Sequence, residues 1–468
     1  MAARIEHVVV LMLENRSFDC MLGRLYAGDP SYQGLTLNES NFYEMTYGVW
    51  NDPQMTPAAA CIPDPDPGEA FTDMNVQLFG QEVRPQPAQT PTMLGFARNY
   101  GLLGTSGSYR DPGAVMHYFT PEQVPVMSAL ARAFGVSDRW HASAPCQTWP
   151  NRFFAHTGTS LGYVDNNTFH IPFEAPSLLR RLEDRGIYWR VYFHDMPQSI
   201  LLRDVWKCAL SRYRLFGQFL ADAHTGALPN YSFIEPRYFT DLFSNLIPND
   251  EHPPHNVLYG EQLIAQVYNA VRSSPCWKET LLIITYDEHG GCYDHVPPPA
   301  AVPPDGAMNN AYGFRFDAYG VRVPAVIVSP YISSGSKVRP SGDTPFDHAS
   351  IIRTVREIFG LGDAFTARDE AAPNLLDALS LAAPNNDGPI SLTAALDTPD
   401  PDKFPELGNS MTNGMQTALS AAAKLLPDTP LAFDTQVPNA AGLPSDPPDT
   451  VARSLANVTV RTRGFLGL

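Results

Sequence analysis

The sequence predicts an α/β protein, a mostly parallel β-sheet sandwiched by helices with long Pro-rich loops. Three observations lead there. Short β-branched or aromatic runs recur along the first 330 residues, and most are continuous rather than alternating. That pattern suits strands buried on both faces of a parallel sheet. Segments with apolar residues three and four apart separate several of them, which is helical spacing. Pro is high, 44 of 468 residues, about twice the usual share, and it gathers between core segments.

Strands are expected at residues 7–13, 188–193, 231–234, 281–286 and 323–329, each bounded by turn residues or charges. A helix is expected at 177–185, where Leu178, Leu179 and Leu182 share a face. Another is expected at 259–271 with Leu263, Ile264, Val267 and Val271, and a third at 348–359 with Ile351, Ile352, Val355 and Ile358. Strand–helix–strand alternation is the signature of a layered α/β sandwich. The Pro-rich stretches 52–67, 84–91 and 296–304 are too short for low-complexity linkers and read as loops over the sheet. After about residue 360 the composition shifts to Ala, Pro, Asn and Asp, with one helix expected near 415–426. Residues 1–360 therefore read as the main domain. Residues 361–468 read as an extension packing on it or trailing from it.

Composition excludes several function classes. Lys plus Arg is 32 and Asp plus Glu is 49, a formal charge of −17. Phosphate-backbone affinity needs clustered cations, so nucleic-acid binding is not expected. Attraction to an anionic membrane surface is disfavoured for the same reason. Hydrophobic residues make up 44%, enough for a large core. The six cysteines have no C-x-x-C spacing and read as reduced, mostly buried thiols. No run approaches the ~18 apolar residues of a membrane helix, so no transmembrane anchoring is expected. The run 8–13 is too short for a signal peptide. The chain as given reads as cytoplasmic, with export by a non-classical route or after leader removal left open. Oligomeric state is not legible.

Five constellations carry chemistry. Glu14-Asn15-Arg16-Ser17-Phe18-Asp19 follows the first strand directly. In open α/β sheets ligands bind outside the carboxyl ends of strands. Asp287-Glu288-His289-Gly290-Gly291 follows a second buried run, and two adjacent carboxylates there repel unless a cation sits between them. A surface loop is the bland alternative. In Thr148-Trp149-Pro150-Asn151-Arg152, Pro150 suits the first position of a helix. Thr148 would then lie beside free N–H groups and a positive helix end, although a Thr there is more often a simple cap. Asn249-Asp250-Glu251-His252-Pro253 leads into a helix, and Tyr192-Phe193-His194-Asp195 ends another strand. The donors of the first two clusters, with the Thr148 hydroxyl, are all oxygen. That favours Ca²⁺, Mg²⁺ or Mn²⁺ over zinc. A hydroxyl bound to such an ion becomes a usable nucleophile.

These runs, in this order and with Phe346-Asp347-His348-Ala349-Ser350, resemble the signatures of the phosphoesterase family. It contains non-specific phospholipases C and a bacterial acid phosphatase. The similarity covers roughly residues 5–360. It implies an alkaline-phosphatase-like fold with Pro-rich loops over the active-site edge and one divalent metal ion, Ca²⁺ first, with Mg²⁺ or Mn²⁺ as alternatives. Carried over by position, Glu14, Asn15, Asp287 and Glu288 would hold the metal. Thr148 would be ligand and nucleophile, passing through a phosphothreonine. His252 and His194 would contact the phosphoryl group. The implied substrate is a phosphate ester or phospholipid, with phosphatidylcholine-like diesters ahead of monoesters. Two departures stand out: Glu69 occupies a position where the family usually has histidine, and Asn256 stands where Asp is common.

Other readings fit less well. A non-catalytic phosphate-binding protein would be expected to have lost a ligand or the hydroxyl, and all are present. Gly158-Thr159-Ser160-Leu161-Gly162 matches G-x-S-x-G, but no apolar strand leads into it, so Ser160 reads as a turn residue. No H-E-x-x-H is present for a zinc peptidase.

Overall fold

A computed structural model describes residues 5–85, 89–104, 110–242, 244–394, 404–429 and 449–468. The part of the Pro-rich stretch 84–91 at 86–88 lies outside the described residues. In chain order the strands are β1 His7–Leu13, β2 Ser40–Tyr43, β3 Met45–Gly48, β4 Gly135–Val136, β5 Trp189–Phe193, β6 Tyr213–Leu215, β7 Tyr231–Ile234, β8 Thr280–Tyr286, β9 Ala325–Val328 and β10 Ser336–Lys337. Eight of them form one sheet in the order β10-β4-β9-β8-β1-β7-β5-β6, and β2–β3 form a separate hairpin.

The block β8-β1-β7-β5-β6 is parallel throughout. β9 runs antiparallel to β8 and to β4. The sheet is thus mostly parallel and flanked by helices, as its continuous apolar runs require. Val8 to Leu13 are fully buried, as are Leu281, Leu282 and Ile283. Each such side chain contributes about 1.5–3 kcal/mol. A charge introduced at Val10 would meet no partner on either face.

Helices fill both layers. Leu178–Asp184 is capped by Ser177, whose hydroxyl accepts from Arg180 N–H. Val257–Ser273 is capped by Asn256. Its short polar side chain explains its place there, because it satisfies the N–H of Leu258. Ala349–Phe359 ends on Gly360 at φ 61°.

Residues beyond 361 contribute to the main core. Leu419, Leu425 and Phe465 belong to it. The Phe465 ring lies 5.5 Å from Trp206, and Gln416 Nε2 donates to the Tyr238 carbonyl at 2.8 Å. The expected helix near 415–426 is Gly414–Leu425, and Val451–Leu466 packs against it.

Candidate active site

The carboxyl ends of β1, β7 and β8 deliver Glu14, Glu235 and Asp287 to one rim, because all three strands run parallel in adjacent register. Asn15 turns the chain at φ 54°, a left-handed conformation that Asn tolerates better than most residues. The turn places the Asn15 N–H at 3.3 Å from Asp287 Oδ1 and its Nδ2 at 2.7 Å from Glu69 Oε1. Gly290 and Gly291 let the β8 loop close on it. A Cβ at Gly290 would meet the Asn15 carbonyl at 2.2 Å, and both glycines have positive φ.

Thr148 opens the helix Thr148–Thr157. Sequence rules place the start at Pro150, but the helix begins two residues earlier. Pro is tolerated in the first turn, where its missing N–H has no helical partner in any case. The Trp149 N–H is taken by Asn166 Oδ1 at 2.8 Å. The helix end therefore offers fewer free donors than its sequence implies. The Thr148 hydroxyl lies 3.5 Å from Asn15 Oδ1. One turn on, Arg152 projects toward the same place. Its Nε reaches Asp287 Oδ2 at 3.0 Å and its Nη2 reaches Glu14 Oε1 at 3.1 Å. Its Nη1 lies 3.8 Å from Glu235 Oε2.

Buried carboxylates dominate the electrostatics. Glu14 is held well above the ordinary carboxylate range by burial and then by Asp287. Burial, then Glu69 and Asp287, do the same to Glu288. Burial opposes a charge on His252, yet the nearby carboxylates of Asp66 and Glu69 outweigh it and raise the imidazole well above its usual value. Glu14 Oε2 and Glu288 Oε1 are buried and have no hydrogen-bond partner. Orphaned acceptors of this kind cost about 1–3 kcal/mol each. With Asn15 Oδ1 and the Thr148 hydroxyl they leave oxygen donors of net negative charge on this rim, the kind a divalent cation uses, whereas the carboxylate and imidazole groups whose ligand atoms lie within 4.8 Å of one another among the described residues are Asp66–Glu69–His252 and Asp19–Asp294–His295.

The structure therefore brings Glu14, Asn15, Thr148, Asp287 and Glu288 into one cluster, with His252 at its edge. His252 Nε2 lies 3.3 Å from Glu69 Oε1. His194 is placed elsewhere. Its Nδ1 donates to the Glu235 carbonyl at 3.1 Å, its ring stacks on Phe216, and burial lowers its pKa to about 3. It lines a separate cavity of about 700 Å³ with Phe216, Leu220, Arg237, Ile247 and Leu263. Ser160 is a turn residue, its hydroxyl donating to the Tyr163 carbonyl.

Three participants were not singled out in the sequence. Arg152 is a spoke between two carboxylates. Glu235 follows β7 as Glu14 follows β1, so the strand-end rule would have found it. Gln198 donates to Glu14 Oε1 from a 3₁₀ turn and leaves no sequence signal. His348 positions rather than reacts. Its Nε2 donates to the Asp287 carbonyl at 2.6 Å, and Trp140 donates to its Nδ1 at 3.4 Å.

A model of the phosphoesterase family matches residues 5–362. The chain belongs to the phosphoesterase family. It is 40% identical to non-specific phospholipase C6 of Arabidopsis thaliana over 411 residues, 83% of this chain and 75% of that one. Non-specific phospholipase C3 of the same plant is 37% identical over 406 residues, 84% and 76% of the two chains. Phospholipase C A of Mycobacterium tuberculosis is 29% identical over 433 residues, 82% and 78%. Among solved structures, a phosphonate monoester hydrolase of Agrobacterium radiobacter aligns with a TM-score of 0.35 at 11% identity, over 80% of this chain and 77% of that one. This phosphoesterase is a hydrolase acting on phosphoester bonds.

Proposed function

We propose that this phosphoesterase is a metal-dependent phospholipase C that cleaves phosphatidylcholine-like diesters through a phosphothreonine at Thr148. The reading rests on one observation: the Thr148 hydroxyl lies 3.5 Å from Asn15 Oδ1, within the cluster that holds the orphaned oxygens of Glu14 and Glu288. Glu14, Asn15, Asp287, Glu288 and Thr148 would hold one divalent ion, Ca²⁺ first by its preference for oxygen, with Mg²⁺ or Mn²⁺ as alternatives. Such an ion lowers the pKa of a bound hydroxyl and neutralises charge on phosphoryl oxygens.

The chain's own residues do the rest. Thr148 attacks phosphorus and the alcohol leaves from the opposite side. Arg152 keeps Glu14 and Asp287 aimed at the centre, and its charge offsets part of theirs. His252 supplies the second positive group at the phosphoryl position. Water then displaces Thr148 from the phosphothreonine.

The same rim supports a lipid diester over a monoester. β5 and β6 end beside β7, and their last residues open into the cavity lined by His194, Phe216 and Leu220. Its wall residue Asn249 precedes Asp250, whose carbonyl accepts the Glu14 N–H at 2.8 Å. A cavity with apolar walls beyond that shared segment suits the acylated part of a leaving alcohol. His194 then contributes to that pocket rather than touching phosphate.

The test compares phosphatidylcholine, p-nitrophenyl phosphorylcholine and p-nitrophenyl phosphate on metal-stripped protein with Ca²⁺, Mg²⁺, Mn²⁺ or Zn²⁺ restored. Diester turnover restored by Ca²⁺ is expected. Turnover of the monoester alone would move the assignment to acid phosphatase, and recovery with zinc alone would contradict the oxygen donor set.

A further inference from the structure

The cavity beside His194 carries donors that the phosphoester chemistry does not use. Its volume is about 700 Å³, within the roughly 300–1,000 Å³ of pockets that take small ligands. The helix Phe216–Thr225, the helix Val257–Ser273 and residues between 245 and 249 build its walls. Leu215, Leu220 and Leu246 line it and are 36%, 38% and 41% exposed. The walls thus keep apolar surface that the fold itself does not cover. Gly217 opens the same side, since a Cβ there would meet no atom within 4 Å.

Arg237 and Arg463 line the cavity, and no Asp or Glu does among the described residues. In a chain of formal charge −17 that is a local reversal of sign. Arg237 Nη1 donates to the Ile247 carbonyl at 3.3 Å. Neither arginine is paired with a carboxylate among the described residues. Burial opposes the Arg237 charge, and Asp195 is the first carboxylate that supports it. Asp195 Oδ2 is itself taken by the N–H groups of Tyr238 and Phe239, at 2.8 and 2.9 Å. Arg463 is exposed in the last turn of the helix Val451–Leu466 and so stands at the mouth. Gln262, also in the wall, has a buried Nε2 with no hydrogen-bond partner. A buried donor left unpaired is costly, and an acceptor arriving in the cavity restores that loss. His194 adds no charge, because burial and then the charge of Arg237 lower its pKa to about 3.

We propose that this cavity binds a single-chain amphiphile with an anionic head, a fatty carboxylate or a monoalkyl phosphate. Its chain lies on Leu215, Leu220 and Leu246, and its head meets Arg237 and Arg463. The planar guanidinium fork matches either head, carboxylate or phosphate. The binding stands on the cavity alone. One consequence rests on the phospholipase C reading, which puts the acylated part of the leaving alcohol in the same space. The amphiphile then competes with a lipid substrate and spares a short soluble diester. Hydrolysis of the acyl esters of a membrane lipid liberates such a carboxylate, so that class of reaction would slow this one.

The test is calorimetric titration of the metal-stripped full chain with dodecanoate, dodecyl phosphate and uncharged monododecanoylglycerol, each below its micellar concentration. One saturable site is expected, with an anion bound about tenfold or more tighter than the glyceride. The tighter of the two anions names the head. Arg237→Gln should remove most of that preference and leave glyceride binding unchanged. Arg463→Gln, at an exposed position, should do the same and serves should Arg237→Gln not fold. Gly217→Leu should weaken all three ligands by filling the space. Equal binding of anion and glyceride, or a preference that survives both arginine variants, overturns the proposal. So does the lack of a saturable site, as when a second copy in a dimer covers the leucines. With metal restored, dodecanoate should inhibit turnover of phosphatidylcholine and not of p-nitrophenyl phosphorylcholine, and Arg463→Gln should relieve the inhibition. Saturable anion binding without that inhibition keeps the site and removes the acylated part of the substrate from it.

Discussion

Two buried clusters of arginine and carboxylate lie behind the ends of β1 and β8, and they differ in one respect. Around Arg322 the guanidinium nitrogens and all four carboxylate oxygens of Asp19 and Asp294 have partners. Its Nε and Nη2 bind Asp294 and Asp19, and its Nη1 binds the carbonyls of Gln33 and Asp138. Asp19 Oδ2 accepts the His295 backbone and ring N–H groups, and Asp294 Oδ2 accepts the Asp19 N–H. Around Arg152 the bonding is unfinished. Glu14 Oε2, Glu288 Oε1 and Arg152 Nη1 have no hydrogen-bond partner. A closed cluster of this kind holds loops together. An open one keeps polar atoms free for a ligand or water, and it tolerates their cost because the ligand brings function.

The largest separation between the two should come from removing a reacting atom on one side and a partner on the other. Thr148→Ala is expected to lower turnover by about 10⁴-fold or more while shifting unfolding free energy by less than about 1 kcal/mol. Its hydroxyl makes only the long contact to Asn15. A variant retaining wild-type kcat would remove the nucleophile assignment. Arg322→Met should do the reverse. It strands Asp19 and Asp294 as buried charges, a loss of about 3–5 kcal/mol, with kcat per folded molecule unchanged. Denaturant titrations paired with active-site-normalised kinetics read both. Equal losses of activity in the two variants would erase the distinction.

The legibility of these regions followed from what each residue has to do. β1 and β7 were readable to the residue, because a strand buried on both faces must be a continuous apolar run. β4 and β10, two residues each, were not, because Gly135-Val136 and Ser336-Lys337 are too short to carry a period. The antiparallel direction of β9 leaves no mark in Ala325–Val328, which is as apolar as its parallel neighbours. In the site, the residues at strand ends were legible because chain polarity puts them on one rim. His194 ends a strand too, two strands from β1, with its Nδ1 on the Glu235 carbonyl and its ring on the cavity wall. The role of Arg152 depends on a helical turn aligning with two distant loops, which no local pattern encodes.

A smaller effect separates the clusters by pH. His156 lies on the same helix as Thr148 and Arg152. Burial, and then the charge of Arg152, lower its pKa to about 3. Its Nδ1 has no partner, and its ring packs 4.6 Å from Phe233. Because the folded pKa lies below the unfolded value near 6.5, the unfolded chain binds the proton first as pH falls. Stability is therefore intact above about pH 6.5 and is lost progressively toward pH 3. At pH 5 this one group should cost about 2 kcal/mol. His156→Phe should lose about that much less than the wild type between pH 7.5 and pH 5. Parallel pH dependences in the two proteins would place a proton on His156 in the folded state.

The smallest expected change tests the open cluster from inside. Replacing Asp294 by Asn in the closed cluster removes a charge that Arg322 needs, so the protein should lose stability. Glu288→Gln in the open cluster removes a charge that burial, Glu69 and Asp287 all disfavour. The new amide keeps an oxygen for the Gly290 N–H, which Glu288 Oε2 now accepts at 2.7 Å. It also adds donors for the neighbouring carboxylates. Metal-free Glu288→Gln should therefore be as stable as the metal-free wild type or up to about 1 kcal/mol more stable, although it turns over no substrate. Added Ca²⁺ should raise the melting temperature of the wild type and leave that of the variant where it was, since only binding to the folded state stabilises. A metal-free variant that melts well below the wild type would mean that Glu288 holds the loop together as Asp294 does, and the two clusters would then be of one kind.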